Sequence, residues 1–221
     1  MPAVAAGAIP LGEWGPGGIL IPDLSGGAEG LTATLGRDPL PAPDTYKVGV
    51  AWEGEPFTWS WFWARDEEDT YQRYGVSLRY VPFIRRGKVT RAVLLTPYWW
   101  TTTVEAVGST QFGFTGQYVV DTGKVAFTFG GGYQQDNAVP GESTELEALA
   151  AVSAPLAGGR ARAEWRSGGD NFTPRQMAFS YERALGSMTI WAGWRAATPP
   201  GGGREESLFA GLGILVPWLN P

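Results

Sequence analysis

"FTWSWFWAR" (residues 57–65) places Trp59, Trp61 and Trp63 at every second position behind Phe57, with Arg65 closing the run. Successive side chains of an extended strand point to opposite faces. The three indoles therefore share a face with Phe57, opposite Thr58, Ser60 and Ala64, while Phe62 is an aromatic stranded on the small polar side. Whether the tryptophan face looks into a protein core or out into a nonaqueous solvent decides the fold.

Composition narrows the choice. The chain has 221 residues, 43% hydrophobic and 18% charged, with 32 Gly and 11 Trp, which suits one sizeable all-β domain and is too apolar for disorder. A net charge of −5 with no long basic run lacks the electrostatic footprint of a nucleic-acid binder. There is no Cys and no His, so disulfides, thiolate chemistry, the usual neutral-pH base and the commonest zinc ligand are all missing. Metal and cofactor are expected to be none. The longest apolar run, "LFAGLGILVPW" (208–218), is too short for a helical span. "MPAVAAGAIPLGEW" (1–14) lacks the basic and continuously apolar regions of a secretory leader, so export requires a leader already removed.

Period-2 alternation predicts about twelve strands (range 10–14), at 30–37, 45–53, 57–65, 71–81, 88–96, 110–121, 124–134, 143–154, 160–167, 175–184, 187–196 and 206–218. Short turns such as "EGEP" (53–56), "PFIRRGK" (82–88), "DTGK" (121–124), "PLAGG" (155–159) and "RALGS" (183–187) alternate with longer polar stretches. The latter are 38–44, 66–70, 97–109, 135–143, 167–174 and 197–206. A Greek-key sandwich has no reason to sort its connections this way. An up-and-down barrel across a bilayer does, with short turns on one side and long loops on the other.

The two faces differ in kind. Tyr74, Val76, Leu78 and Tyr80 oppose Arg73, Gly75, Ser77 and Arg79, and in "GRARAEWR" (159–166) Ala161, Ala163 and Trp165 oppose Arg160, Arg162, Glu164 and Arg166. The polar face is rich in Gly, Ala, Ser, Thr and Gln and nearly free of Lys, a poor surface for a soluble protein and a good filling for a crowded interior with paired Arg and Glu. The apolar face often carries Tyr or Trp at its ends, as in Tyr46-Val48-Val50-Trp52, which is the pattern of aromatic girdles at two membrane interfaces. The belt residues expected against lipid are Trp52, Trp59, Trp61, Trp63, Tyr74, Tyr80, Trp165, Trp194 and Trp218.

Through hairpins such as "MAFSYERALGSMTIWAGWR" (177–195), and over about residues 30–218, the chain resembles bacterial outer-membrane β-barrel proteins as a class. The resemblance implies an up-and-down antiparallel transmembrane β-barrel over 30–221 in the bacterial outer membrane, preceded by an extended segment (1–29) acting as a plug or periplasmic arm. It also implies that Trp218 stands in for the terminal aromatic residue of many such barrels, although "LNP" follows it. Length and strand count look similar to small monomeric channels for acidic oligosaccharides or nucleosides. Enzymes on this scaffold resemble one another in needing a His base, so no enzymatic activity is expected.

Candidate functional residues lie on the polar face: Arg73, Arg79, Arg160, Arg162, Arg166 and Arg195 against Glu145, Glu147, Glu164 and Glu182. An arginine excess along a lumen favours anions, and the expected function is a passive channel for small anionic or amphiphilic solutes. Two alternatives stand beside it. In one, the charges neutralise each other and close the barrel, whose long loops then bind a partner. In the other, the chain is a soluble β-sandwich or virion-type subunit with its aromatic face inside. The acids of "RDEEDT" (65–70) are expected in a solvated loop, and the glycine runs 130–132 and 201–203 lack the helix a phosphate loop needs.

Overall fold

The alternation is realised as twelve strands in a computed structural model that describes residues 30–38, 45–53, 56–104, 107–137, 144–170 and 174–216. They are β1 (Gly30–Asp38), β2 (Thr45–Glu53), β3 (Phe57–Asp66), β4 (Tyr71–Arg85), β5 (Thr90–Val104), β6 (Val107–Asp121), β7 (Ala126–Asp136), β8 (Thr144–Leu156), β9 (Gly159–Arg166), β10 (Arg175–Leu185), β11 (Met188–Thr198) and β12 (Glu205–Leu215). Each strand pairs antiparallel with its neighbours in the chain, and β12 returns to β1 to close the barrel. No helix among the described residues is long and apolar enough to cross a membrane. Segment 1–29 and Trp218 lie outside the described residues.

β3 shows why the barrel has its polar side within. Trp59 and Trp61 are 43% and 39% exposed on the outer wall, with Trp63 half-buried beside them, while Thr58, Ser60, Ala64 and Asp66 are buried. Register carries the same polarity sideways. Trp61 pairs with Val50 on one flank and Val76 on the other, so one outward face continues across three strands. Phe57 stacks on Tyr80 with centroids 4.9 Å apart, and Tyr74 meets Trp99 edge-on at 5.8 Å. Along β4 the exposed side chains run Tyr74, Val76, Leu78, Tyr80, aliphatics between two aromatics, as at the two edges of a hydrocarbon slab.

The connections depart from expectation in one place above all. The polar stretch read across 97–109 is strand over all its described residues: β5 continues to Val104 and β6 begins at Val107, paired without interruption from Thr90↔Asp121 to Val104↔Val107. The β-branched run Thr101–Val104 supplies the strand propensity, and the inward Trp100 fixes the register. β4 likewise runs past 81 to Arg85 through a bulge between Tyr80 and Phe83, leaving a turn of only 86–89. The acidic connection shrinks to 67–70, exposed, with Thr70 donating to Asp66. On the turn side, β8 and β9 are joined by two residues with positive φ, Ala157 (47°) and Gly158 (79°), the tight hairpin geometry that matches strand twist.

Candidate functional site

The lumen is built from the inward positions of the strands, and its central feature comes from β5. Tyr98 and Trp100 point inward and stack at 4.5 Å with planes 7° apart, forming with Phe62 an aromatic cluster within the barrel. These rings fit because glycines stand opposite them. A Cβ on Gly75 would come within 2.6 Å of the Trp100 Cβ, and one on Gly113 within 2.3 Å of the Tyr98 hydroxyl. The register pairs Gly75 with Trp100 and Tyr98 with Gly113. Leu94 and Trp191 also face inward and are buried. The inner face is thus less polar than simple alternation predicts.

Charged groups grip this aromatic layer from both sides. The Arg73 guanidinium lies 4.8 Å from the Trp100 ring centre and donates from Nη2 to Gln111 Oε1 at 3.0 Å. Gln111 also accepts from the Trp100 indole and donates to Asp136. Across the lumen Arg166 is ion-paired with Glu147 and donates from Nη2 to Gln134 Oε1 at 3.0 Å, an oxygen that also accepts from the Tyr98 hydroxyl at 3.4 Å. Two guanidiniums, two amides and two carboxylates therefore hold the Tyr98–Trp100 stack in place. Such a network is costly wherever it is incomplete. Among the described residues Arg73, 1% exposed, has no hydrogen-bond partner for Nε or Nη1.

Toward the short-turn end, Arg162 pairs with Glu182 at 3.2 Å and Arg160 donates to Ser153 Oγ at 3.1 Å. Glu164, on the same inward face, stands opposite Ala178 of β10. Arg79 and Arg195 are buried on the inner face. Glu145 is buried beneath the backbone after β9, where a Cβ on Gly169 would meet its carboxylate at 2.3 Å.

The ten candidate residues thus lie on the inner face, and their pairing follows the register between strands. Glu147 finds Arg166, whereas Arg162 pairs with Glu182 of β10 and Arg73 engages no glutamate in the contacts described. The arginine excess also disappears. Asp136, read from sequence as part of a loop, is buried at the inward end of β7, and Asp66 and Asp121 are buried on the inward faces of β3 and β6, so among the described residues six inward arginines meet seven inward carboxylates. Gln111, Gln134, Tyr98 and Trp100 were not singled out from sequence. The two glutamines sit on the polar face by alternation, and an amide there is a signal that pattern reading can find; the two aromatics fell in a stretch read as loop. Of the belt, Tyr74, Tyr80 and Trp165 are exposed outside along with Trp59 and Trp61, and Trp52, Trp63 and Trp194 are half-buried.

No family model and no curated protein matches the chain. Among solved structures, a KdgM porin superposes with a TM-score of 0.57 at 7% identity, covering 84% of this chain and 98% of that one. Looser superpositions are found with the β domain of the Bordetella autotransporter BrkA (TM-score 0.42, 12% identity, 85% and 99% covered) and an anion-selective porin from Comamonas acidovorans (0.36, 12%, 76% and 57%). With its closed up-and-down sheet and apolar outer wall, the chain has the fold of a bacterial outer-membrane β-barrel.

Proposed function

We propose that the protein is a narrow channel of the bacterial outer membrane for small anionic solutes, with its constriction at the Tyr98–Trp100 layer. Arg73 carries the reading. A buried guanidinium with two nitrogens that make no hydrogen bond is rare unless water or an anion completes it, and this one, beside Tyr71, is already oriented by Trp100 and Gln111. A solute carboxylate or phosphate would accept a charge-assisted hydrogen bond from Nε–H or from Nη1–H, which point to opposite sides of the guanidinium. The likeness to a KdgM porin supports a conducting barrel over a solid one. A closed barrel that acts through its loops is favoured by one observation, that Arg73, Gln134, Arg166 and Arg195 are all buried inside.

Conductance in planar bilayers separates the two. The channel gives discrete steps with anion preference, and Arg73→Gln brings the anion-to-cation permeability ratio toward unity. Silence over a range of voltages, with the protein demonstrably inserted, favours the closed barrel.

A further inference from the structure

The outer wall carries a second feature, backed by the same strands. A groove of about 670 Å³ opens on the face formed by β3, β4 and β5, lined among others by Trp59, Trp61, Val76, Leu78, Pro97 and Trp99. Its volume falls in the range of small-molecule sites. Its cause is Pro97, which has no N–H to give. The β4–β5 ladder has no partner pair between Ser77↔Tyr98 and Tyr80↔Leu95, although the register on either side is the same. On the other flank Pro97 still pairs with Phe114.

From the groove an apolar track runs toward the short turn through the pairs Tyr80↔Leu95 and Phe83↔Val93. It ends at Arg85↔Arg91, two arginines directly opposite each other, both exposed on the outer face. Like charges in directly opposed positions are destabilising, and no acidic residue occurs anywhere between 71 and 104. Arg86 and Lys88, also exposed, stand in the same turn.

We propose that this face seats one anionic glycerophospholipid of the turn-side leaflet, its phosphate bridging Arg85 and Arg91 and one acyl chain lying up the track into the groove. The dimensions agree. Seven residues separate Leu78 from Arg85, about 23 Å of strand and about 18 Å along the membrane normal at a tilt near 40°. The hydrocarbon of one leaflet is about 15 Å deep. The bound phosphate resolves the arginine repulsion, and the chain fills the space where the ladder is broken. This seat does not depend on whether the lumen conducts.

Native mass spectrometry of the detergent-purified protein tests it, with phosphatidylglycerol, phosphatidylcholine and lipopolysaccharide added in turn. Phosphatidylglycerol should give a single retained adduct, weakened tenfold or more in Arg85→Gln/Arg91→Gln, whose changes lie outside the barrel interior. Leu78→Trp, which fills the groove, should weaken the adduct while leaving the heat-modifiable folded band on gels. Equal retention of phosphatidylcholine, preference for lipopolysaccharide, a dimer in place of the adduct, or an adduct that survives the arginine double substitution would each overturn the proposal.

Discussion

Trp99 and Trp100 are neighbours with opposite fates, and replacing each by Ala measures which side of the wall is which. Trp100 is 5% exposed and Trp99 37%. Trp100→Ala removes the stack on Tyr98, about 1 kcal/mol, the cation–π contact with Arg73, about 1–2 kcal/mol when desolvated, and a hydrogen bond to Gln111 of about 1 kcal/mol. These contacts lead to a cost of about 3–4 kcal/mol, in line with the roughly 3–5 kcal/mol of buried Trp→Ala changes in general. Trp99→Ala forfeits its edge contact with Tyr74, about 0.5–1.5 kcal/mol, and leaves a gap that lipid fills. Reversible denaturant unfolding from detergent micelles or vesicles, followed by the loss of the compact band on unheated gels, gives both numbers. If Trp99→Ala costs as much as Trp100→Ala, the assignment of inner and outer faces is wrong. If the protein conducts, Trp100→Ala should also raise the single-channel conductance.

Three further substitutions probe the interior and the turns. Glu147→Gln leaves Arg166 without its carboxylate and should cost about 3–5 kcal/mol, part of which Glu147→Gln/Arg166→Met recovers because both charges are then gone; the same unfolding assay reads both. Gly113→Ala drives a methyl into the Tyr98 hydroxyl and the Tyr133 carbonyl, 2.3 and 2.6 Å away, and should lower stability by about 1–3 kcal/mol and weaken the near-ultraviolet dichroism of the aromatic layer. Ala157→Gly relieves a left-handed backbone at φ 47°. It should raise the unfolding midpoint by the equivalent of about 0.5–1 kcal/mol, the strain relieved less the entropy glycine adds to the unfolded chain.

Which residues share a face is legible from period 2, because one lipid-facing and one lumen-facing residue alternate without exception across β3 and most of β4, and the lysine-poor polar face and the sorted loops say which face looks outward. What alternation cannot supply is register. Arg162 meets Glu182 through the pairing of β9 with β10, a displacement that no local pattern encodes. Strand ends are as poorly written: Thr101–Val104 and Asp136 are polar enough to pass for loop, yet each completes a ladder. Trp100 illustrates the combined loss. Its aromatic side chain argues for the outer face, and only the glycine opposite it, Gly75, betrays an inward ring. Asp136 escaped notice for the complementary reason, since a carboxylate beside "NAVPG" reads as a turn signal before it reads as a partner for Gln111.

The joining of β1 to β12 sets the order of events in assembly. Positions 32–37 pair with 210–215, so the seam unites residues 173 to 183 positions apart, and closing a flexible loop of that length costs about 4–5 kcal/mol of chain entropy before any ladder bond compensates it. Hairpins can form locally and early, but the ring cannot, and until the final strand docks both edges of a twelve-stranded ribbon lie open to foreign strands. Topologies dominated by such distant pairing fold slowly. The chain thus keeps two adhesive strand edges until β12 docks, and a holding chaperone or a template that occupies the β1 edge would speed the last step by shortening the search.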